Sequence, residues 1–291
     1  MQFSLYTNVK EFYKATYDVL MRHEAQNIIP LGNVIIGNAG KDKTGWRDPA
    51  NWFMATVSDA NGICLTAVMT PPKNLTLYAT DNKNDPNAIT SLIEGITQAK
   101  IPIPGVMAEK SLAEMFAQQY TVKYDNLIAK INKSQRIYEL SEVSSSIPKI
   151  NIRPARESDM SFLPYWDAGF YNDCFGEPPT VSGDAETFYH IIRSNRVYIM
   201  EDTGIPVTMA KISRDLRTVC AIGYVYTPPY FRKKGYATAC VAAISQIGLD
   251  RGFSKCVLYT DLANPISNSI YQKIGYRPIC DSLEIKLTKK M

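Results

Sequence analysis

Histidine is scarce in this 291-residue sequence: there are two, His23 and His190. A zinc site built on imidazoles, or a nucleophilic triad centred on histidine, has too little to work with. The six cysteines, at 64, 174, 220, 240, 256 and 280, include no Cys-x-x-Cys pair. Most stand among apolar neighbours, as in Val219-Cys220-Ala221-Ile222, which is the pattern of buried free thiols and not of a disulfide framework. No run approaches the ~20 apolar residues of a membrane span. The start, Met1-Gln2-Phe3-Ser4-Leu5-Tyr6, lacks the basic and apolar blocks of a secretion signal. No membrane association and a cytoplasmic location are therefore expected. Net charge is small too, +4 from 32 Lys+Arg against 28 Asp+Glu. Without a dense basic face, nucleic acid is not the expected partner. What is plentiful is apolar residues, 45% of the chain, enough for two ordinary domains or one large one.

The segment Leu140-Ser-Glu-Val-Ser-Ser-Ser-Ile-Pro-Lys149 reads as a linker, because serines and Pro148 favour a solvated, non-helical path. It divides the sequence into an N-terminal α/β domain, 1–146, and a C-terminal domain, 147–291. In the second, strands are expected at Lys149–Arg153, Arg196–Glu201, Ile205–Ser213, Val219–Tyr226, Cys256–Tyr259 and Leu283–Leu287. Helices are expected after a Ser158 cap, at Tyr236–Asp250 and at Pro265–Ile274. That order describes a mixed α/β sheet with helices on its faces. The first half ends in a similar rhythm: helix at Ala88–Ala99, strand at Gly105–Ala108, helix at Ser111–Tyr120 and strand at Arg136–Leu140. Two copies of one fold would produce it.

Chemistry concentrates in Val225-Tyr-Thr-Pro-Pro-Tyr-Phe-Arg232-Lys-Lys-Gly235-Tyr-Ala237-Thr238. A strand ends, a turn follows, and a helix begins at once. The first N–H groups of a helix lack internal partners and carry partial positive charge, so they bind phosphate oxygens. Gly235 lets backbone come close and Ala237 keeps the next position small. Arg232, Lys233 and Lys234 add charge, and Thr238 offers a hydroxyl. Some thirty residues on stands Asp261-Leu-Ala-Asn264-Pro-Ile-Ser267-Asn268-Ser-Ile-Tyr271-Gln-Lys-Ile-Gly275-Tyr276. Here Asn264 precedes a proline at the first helical position, and Tyr271 lies about two turns on, on the same side of the helix.

Together the two segments resemble the GNAT superfamily of acyl-CoA-dependent N-acetyltransferases. Arg232, Gly235 and Ala237 match its pyrophosphate signature, Gln/Arg-x-x-Gly-x-Gly/Ala. Asn264, Ser267, Tyr271, Gly275 and Tyr276 match its Asn-x-x-Ala/Ser-x-x-x-Tyr-x-x-x-Gly-Phe/Tyr pattern, and Ile152-Arg153-Pro154-Ala155 its first strand. The resemblance covers about residues 150 to 288. More faintly, the first half resembles the degenerate N-terminal half of tandem members. The resemblance implies acetyl-CoA as co-substrate and a primary amine of a small molecule or peptide as acceptor. It also implies backbone contacts from Val225, Tyr226 and Thr227 to the pantetheine arm, and a pyrophosphate on Arg232, Lys233, Lys234, Gly235, Tyr236, Ala237 and Thr238. Asn264 and Ser267 would complete the cofactor site, and Tyr271 would act as catalytic acid toward the departing thiolate. One departure matters: Val219–Tyr226 holds no carboxylate, where many members carry a glutamate base. Asp173, Glu177 or a water relay could replace it. Transfer of a longer acyl group, and a CoA-binding sensor or inactive partner without turnover, stay open. So does the choice between monomer and homodimer.

Overall fold

The computed structural model describes residues 1–40 and 48–290. Among the described residues, twenty strands and α-helices fall into two sets of ten. The first set is β1 (Gln2–Tyr6), α1 (Val9–Met21), α2 (Ile28–Ala39), β2 (Phe53–Asp59), β3 (Gly62–Met69), β4 (Leu75–Ala79), α3 (Pro86–Gln98), β5 (Gly105–Glu109), α4 (Lys110–Lys123) and β6 (Leu127–Leu140). The second is β7 (Arg153–Pro154), α5 (Leu163–Phe175), α6 (Ala185–Arg193), β8 (Val197–Asp202), β9 (Ile205–Asp215), β10 (Val219–Tyr226), α7 (Tyr236–Asp250), β11 (Lys255–Asp261), α8 (Pro265–Ile274) and β12 (Arg277–Lys289). Both read β-α-α-β-β-β-α-β-α-β. The sequence signal for two copies of one fold was the tail of this order.

Contacts divide the chain into two compact units that do not follow a single cut. One is Met1–Ile137 with Thr260–Ala263 and everything from Pro278 onward; the other is Tyr138–Tyr259 with Asn264–Arg277. The last strand, β12, thus packs with the first unit, antiparallel to β5, with Leu283 opposite Ala108 and Ile285 opposite Val106. Leu283, Ile285 and Leu287 belong to that unit's apolar core.

Within the first unit the strands run β1-β2-β3-β4-β5-β12-β6. The first four alternate antiparallel, and β4 and β5 are parallel. Helices α3 and α4 bury Ile89, Leu92, Ile96, Leu112 and Phe116 against the sheet, the apolar stripe that burial at ~25 cal/mol per Å2 stabilises. In the second unit the order is β11-β10-β9-β8-β7, again antiparallel except for the parallel β10–β11 pair. Helix α7 buries Val241 and Ile244 with Cys240, Cys220, Cys256 and Leu258. Gly248 keeps α7 close to the sheet, since a Cβ there would meet Cys220 Sγ at 2.7 Å and Cys256 Sγ at 2.9 Å.

Two local expectations need correction. The strand expected at Lys149–Arg153 is two residues long, Arg153–Pro154, because Pro154 has no N–H to extend the ladder. Ser158 does not cap a helix. It lies in a 3-10 turn, Glu157–Ser161, held by Asp159, whose carboxylate accepts Arg156 N–H at 2.8 Å and Arg153 Nη1 and Nη2 at 2.7 and 2.9 Å. Helix α5 starts later, with Pro164 in its first turn.

Candidate active site

The parallel pairing of β10 with β11 covers three residues, Val219, Cys220 and Ala221 opposite Lys255, Cys256 and Val257. Both strands continue past that point without pairing to each other. They splay, leaving a wedge of unpaired backbone on the side where β10 ends. On its other edge β10 skips register against β9 between Gly223 and Tyr226. Inside this bulge Tyr224 takes φ +57°, a left-handed conformation that costs a bulky residue energy.

From the end of β10 the chain turns through Pro229–Phe231 into α7. Gly235 is the N-cap, at φ +83°. No side chain caps this helix. The N–H groups of Tyr236, Ala237 and Thr238 are therefore left to solvent or a ligand. Glycine at 235 answers the positive φ first, for a Cβ there would meet nothing within 4 Å; the same open space lets an anion approach. Lys233 and Lys234 are exposed beside the amides. Arg232 is turned elsewhere: it donates to Thr227 O at 2.9 Å and pairs with Asp173 at 2.6 Å. Tyr236 reaches the β8–β9 turn and hydrogen-bonds Asp202. Among the three residues set against the pantetheine arm, Tyr226 O already accepts Thr208 Oγ1 at 2.8 Å, Thr227 O accepts Arg232, and Val225 lies within the bulge.

At α8, Asn264 is the N-cap: its Oδ1 accepts Ser267 N–H at 3.0 Å, with Pro265 at the first helical position. The carboxamide oxygen is thus occupied and its NH2 is the end left to donate. Ser267 also hydrogen-bonds the Tyr271 hydroxyl, so the three residues meet along one side of the helix, as their spacing requires. Tyr271 is 9% exposed, its ring packed at 6.4 Å from Tyr138 and 6.0 Å from Tyr276. Burial, with the Cys174 thiol nearby, pushes its phenol up to about 12 while Ser267 pulls it down. The ring is core; the hydroxyl is a protonated donor at neutral pH.

Of the acids considered as replacement bases, Asp173 is held in the Arg232 ion pair and Glu177 is exposed just beyond α5. Sequence reasoning missed a third, Asp167, on α5. It is 7% exposed and accepts a hydrogen bond from the Tyr224 hydroxyl. Burial raises its pKa, opposed by the Tyr224 hydrogen bond and by Lys211, and reinforced by Glu177. A signal existed: Leu163 and Trp166, buried, and Phe170, partly buried, form an apolar stripe, and Asp167 sits inside it.

These features can be compared with known proteins. The model of the acetyltransferase (GNAT) family matches residues 165–276, the stretch containing the splay, the uncapped helix and α8. Residues 165–276 are a GNAT-family domain. No curated protein sequence matches the chain. Solved structures match over nearly its full length. A GCN5-related N-acetyltransferase from Sphaerobacter thermophilus is 14% identical, with 99% of this chain and 95% of that one aligned at a TM-score of 0.63. A tandem GNAT protein from the clavulanic acid biosynthesis pathway is 10% identical over 99% and 98%, at 0.59. A GNAT-family acetyltransferase from Colwellia psychrerythraea is 10% identical over all of both chains, also at 0.59. At such identities the likeness is one of fold, and it spans both halves of the chain.

Proposed function

We propose that this protein transfers an acetyl group from acetyl-CoA to a primary amine of a small molecule or peptide, by direct attack in a ternary complex. The observation that carries the reading is the uncapped start of α7 beside the splayed β10–β11 pair. Exposed amides, a left-handed glycine and two lysines make an anion cradle of the kind a pyrophosphate fits. Val225 and its neighbours offer strand backbone at the mouth of the wedge, and Asn264 offers an amide NH2 on its other side. Bound acetyl-CoA would supply the activated thioester. The chain's own part is to hold and orient it, to accept the protons an amine loses, and to give one to the leaving sulfur, for which the Tyr271 hydroxyl is suited.

The test joins calorimetry of CoA binding with thiol release from acetyl-, propionyl- and longer acyl-CoA in the presence of a panel of amines. Binding with amine-dependent release supports the reading, and the preferred chain length sets the acyl group. Binding without release from any donor makes the protein a sensor or an inactive partner. Absence of binding overturns the reading.

A further inference from the structure

The buried acids of the second unit are not treated alike. Asp159 has its charge met by Arg153 through two hydrogen bonds and by a backbone N–H. Asp167 has less: among the described residues it accepts one hydrogen bond, on Oδ1, from Tyr224, and the Lys211 ammonium acts on it without a hydrogen bond. No fully buried side-chain oxygen lacks a partner among the described residues. Oδ2 of Asp167 accepts nothing, so it must reach accessible space although the residue is 7% exposed. A carboxylate sunk in apolar surroundings with one oxygen open is costly unless something arrives to meet it.

The surroundings say what would. Tyr224, held left-handed in the β10 bulge, lies one residue from Val225 and is braced by the Phe170 ring at 4.9 Å, edge to face. Beyond Phe170 the last turn of α5 carries Tyr171 and Phe175, whose rings stand 5.6 Å apart and are both exposed. Asp167 and Glu177 are near enough to Tyr171 to raise its phenol further than burial alone does. From the same turn, Cys174 acts on Tyr271, so this end of α5 borders the proposed leaving-group donor. Acidic oxygens behind aromatic rings suit a cation carrying an apolar body.

We infer that Asp167, oriented by Tyr224, receives the ammonium group of the acceptor, and that the acceptor is a primary amine with an aromatic or apolar body lying on Phe170, Tyr171 and Phe175. The inference rests on the acetyltransferase reading and assigns it an acceptor side. One ammonium proton passes to Asp167 Oδ2, giving the neutral amine. Its nitrogen then forms the C–N bond, the C–S bond breaks with its electron pair going to sulfur, and the second nitrogen proton ends on sulfur. Asp167 returns its proton to solvent. Burial brings the carboxyl closer to the pH at which such an exchange is balanced.

Calorimetric titration of the full-length protein with 2-phenylethylamine at pH 7.5, with and without saturating CoA, tests this, using 2-phenylethanol and butylamine as probes lacking the charge or the ring. Wild type should bind the amine at least tenfold more tightly than either probe. Asp167→Asn should lose at least tenfold in amine affinity and Tyr224→Phe a smaller factor, with CoA affinity retained and both variants folded. Equal amine binding by wild type and Asp167→Asn, or no preference for the amine over the alcohol, overturns the inference. Failure of wild type to bind CoA sinks the acetyltransferase reading separately, because the amine titration without CoA still reports on Asp167.

Discussion

Two helices that begin after a splayed parallel strand pair, α3 and α7, occupy the same place in the two halves and end in opposite chemistry. In the first half β4 pairs with β5 only at Leu75 and Thr76, so the wedge is there as well. Yet α3 opens with Asp85, whose carboxylate caps Asn87 N–H at 2.8 Å, and with Pro86, which has no N–H. The loop before it is tied down by Arg22–Asp81 at 3.0 Å and Gln26–Asn82 at 2.8 Å. Where α7 presents free amides and lysines, α3 presents a carboxylate. The helices that follow differ in the same sense. Seven residues after its N-cap, α8 has Tyr271; seven after Glu109, α4 has Phe116, fully buried. Three after the cap, Ser267 corresponds to Leu112. The backbone plan was kept in both halves, and the polar groups were kept in one.

Replacing Tyr271 with Phe makes α8 like α4, and it should produce the largest effect. If the hydroxyl supplies general-acid assistance, turnover falls by ~100- to 10,000-fold with CoA affinity nearly intact. A core role alone predicts a lower melting temperature with full turnover per folded molecule, so both are measured on the same preparation. Next comes Ala237→Glu, which sets a carboxylate among the α7 amides. An acid in the first turn favours the helix but competes with phosphate, so CoA affinity should drop at least tenfold, ~1.4 kcal/mol, with stability unchanged or raised. Asn87→Glu in α3 should leave CoA affinity untouched. Equal losses from the two would erase the distinction drawn between the helices.

Smaller effects sharpen the comparison. Asp85→Ala removes a cap that α7 does without, and about 1 kcal/mol of stability should go with it, read by denaturant titration with CoA affinity unaffected. Asp167→Asn should act the other way. Burial raises the folded pKa of Asp167, which faces Tyr224 of β10, Lys211 of β9, Tyr171 of its own helix and Glu177 beyond it. A raised folded value means the stabilising contribution is complete below the unfolded pKa, ~3.9, and is lost as pH rises through the folded one. The asparagine variant should therefore melt above wild type at pH 7, and the gap should close as pH falls toward ~4. A gap that widens on acidification contradicts the assignment.

What could be read in the sequence was what a local rule dictates. β10, α7 and α8 were legible to the residue because proline, glycine and an Asn cap punctuate them. The expectation of a phosphate cradle came from the charge and size of residues 232–238, and the structure turns Arg232 of that set toward Asp173. Long strands were cut short: β6 runs Leu127–Leu140 and β12 Arg277–Lys289, where Lys130, Asn132 and Lys133 or Arg277 and Asp281 hide the apolar alternation. Helix α6 went unnoticed although Asp184 caps Thr187 N–H at 2.9 Å and Phe188 and Ile192 are buried one turn apart. Nothing local could disclose Asp167 on Tyr224, or Arg232 on Asp173. Those pairings join residues more than fifty positions apart, and the first depends on where the bulge in β10 aims Tyr224.

The placement of β12 has a consequence for the order in which the protein is made. The strand between β5 and β6 in the first unit is drawn from residues 277–289, so during translation that sheet waits until those residues have left the ribosome. Until then the hydrogen-bonding edge of β5 is open and Ala108, Val106 and their neighbours lack Leu283 and Ile285, a state prone to stray pairing. The half translated first is therefore the half completed last. A chain cut short before Arg277 loses the closing strand of the unit that contains none of the proposed CoA-binding residues.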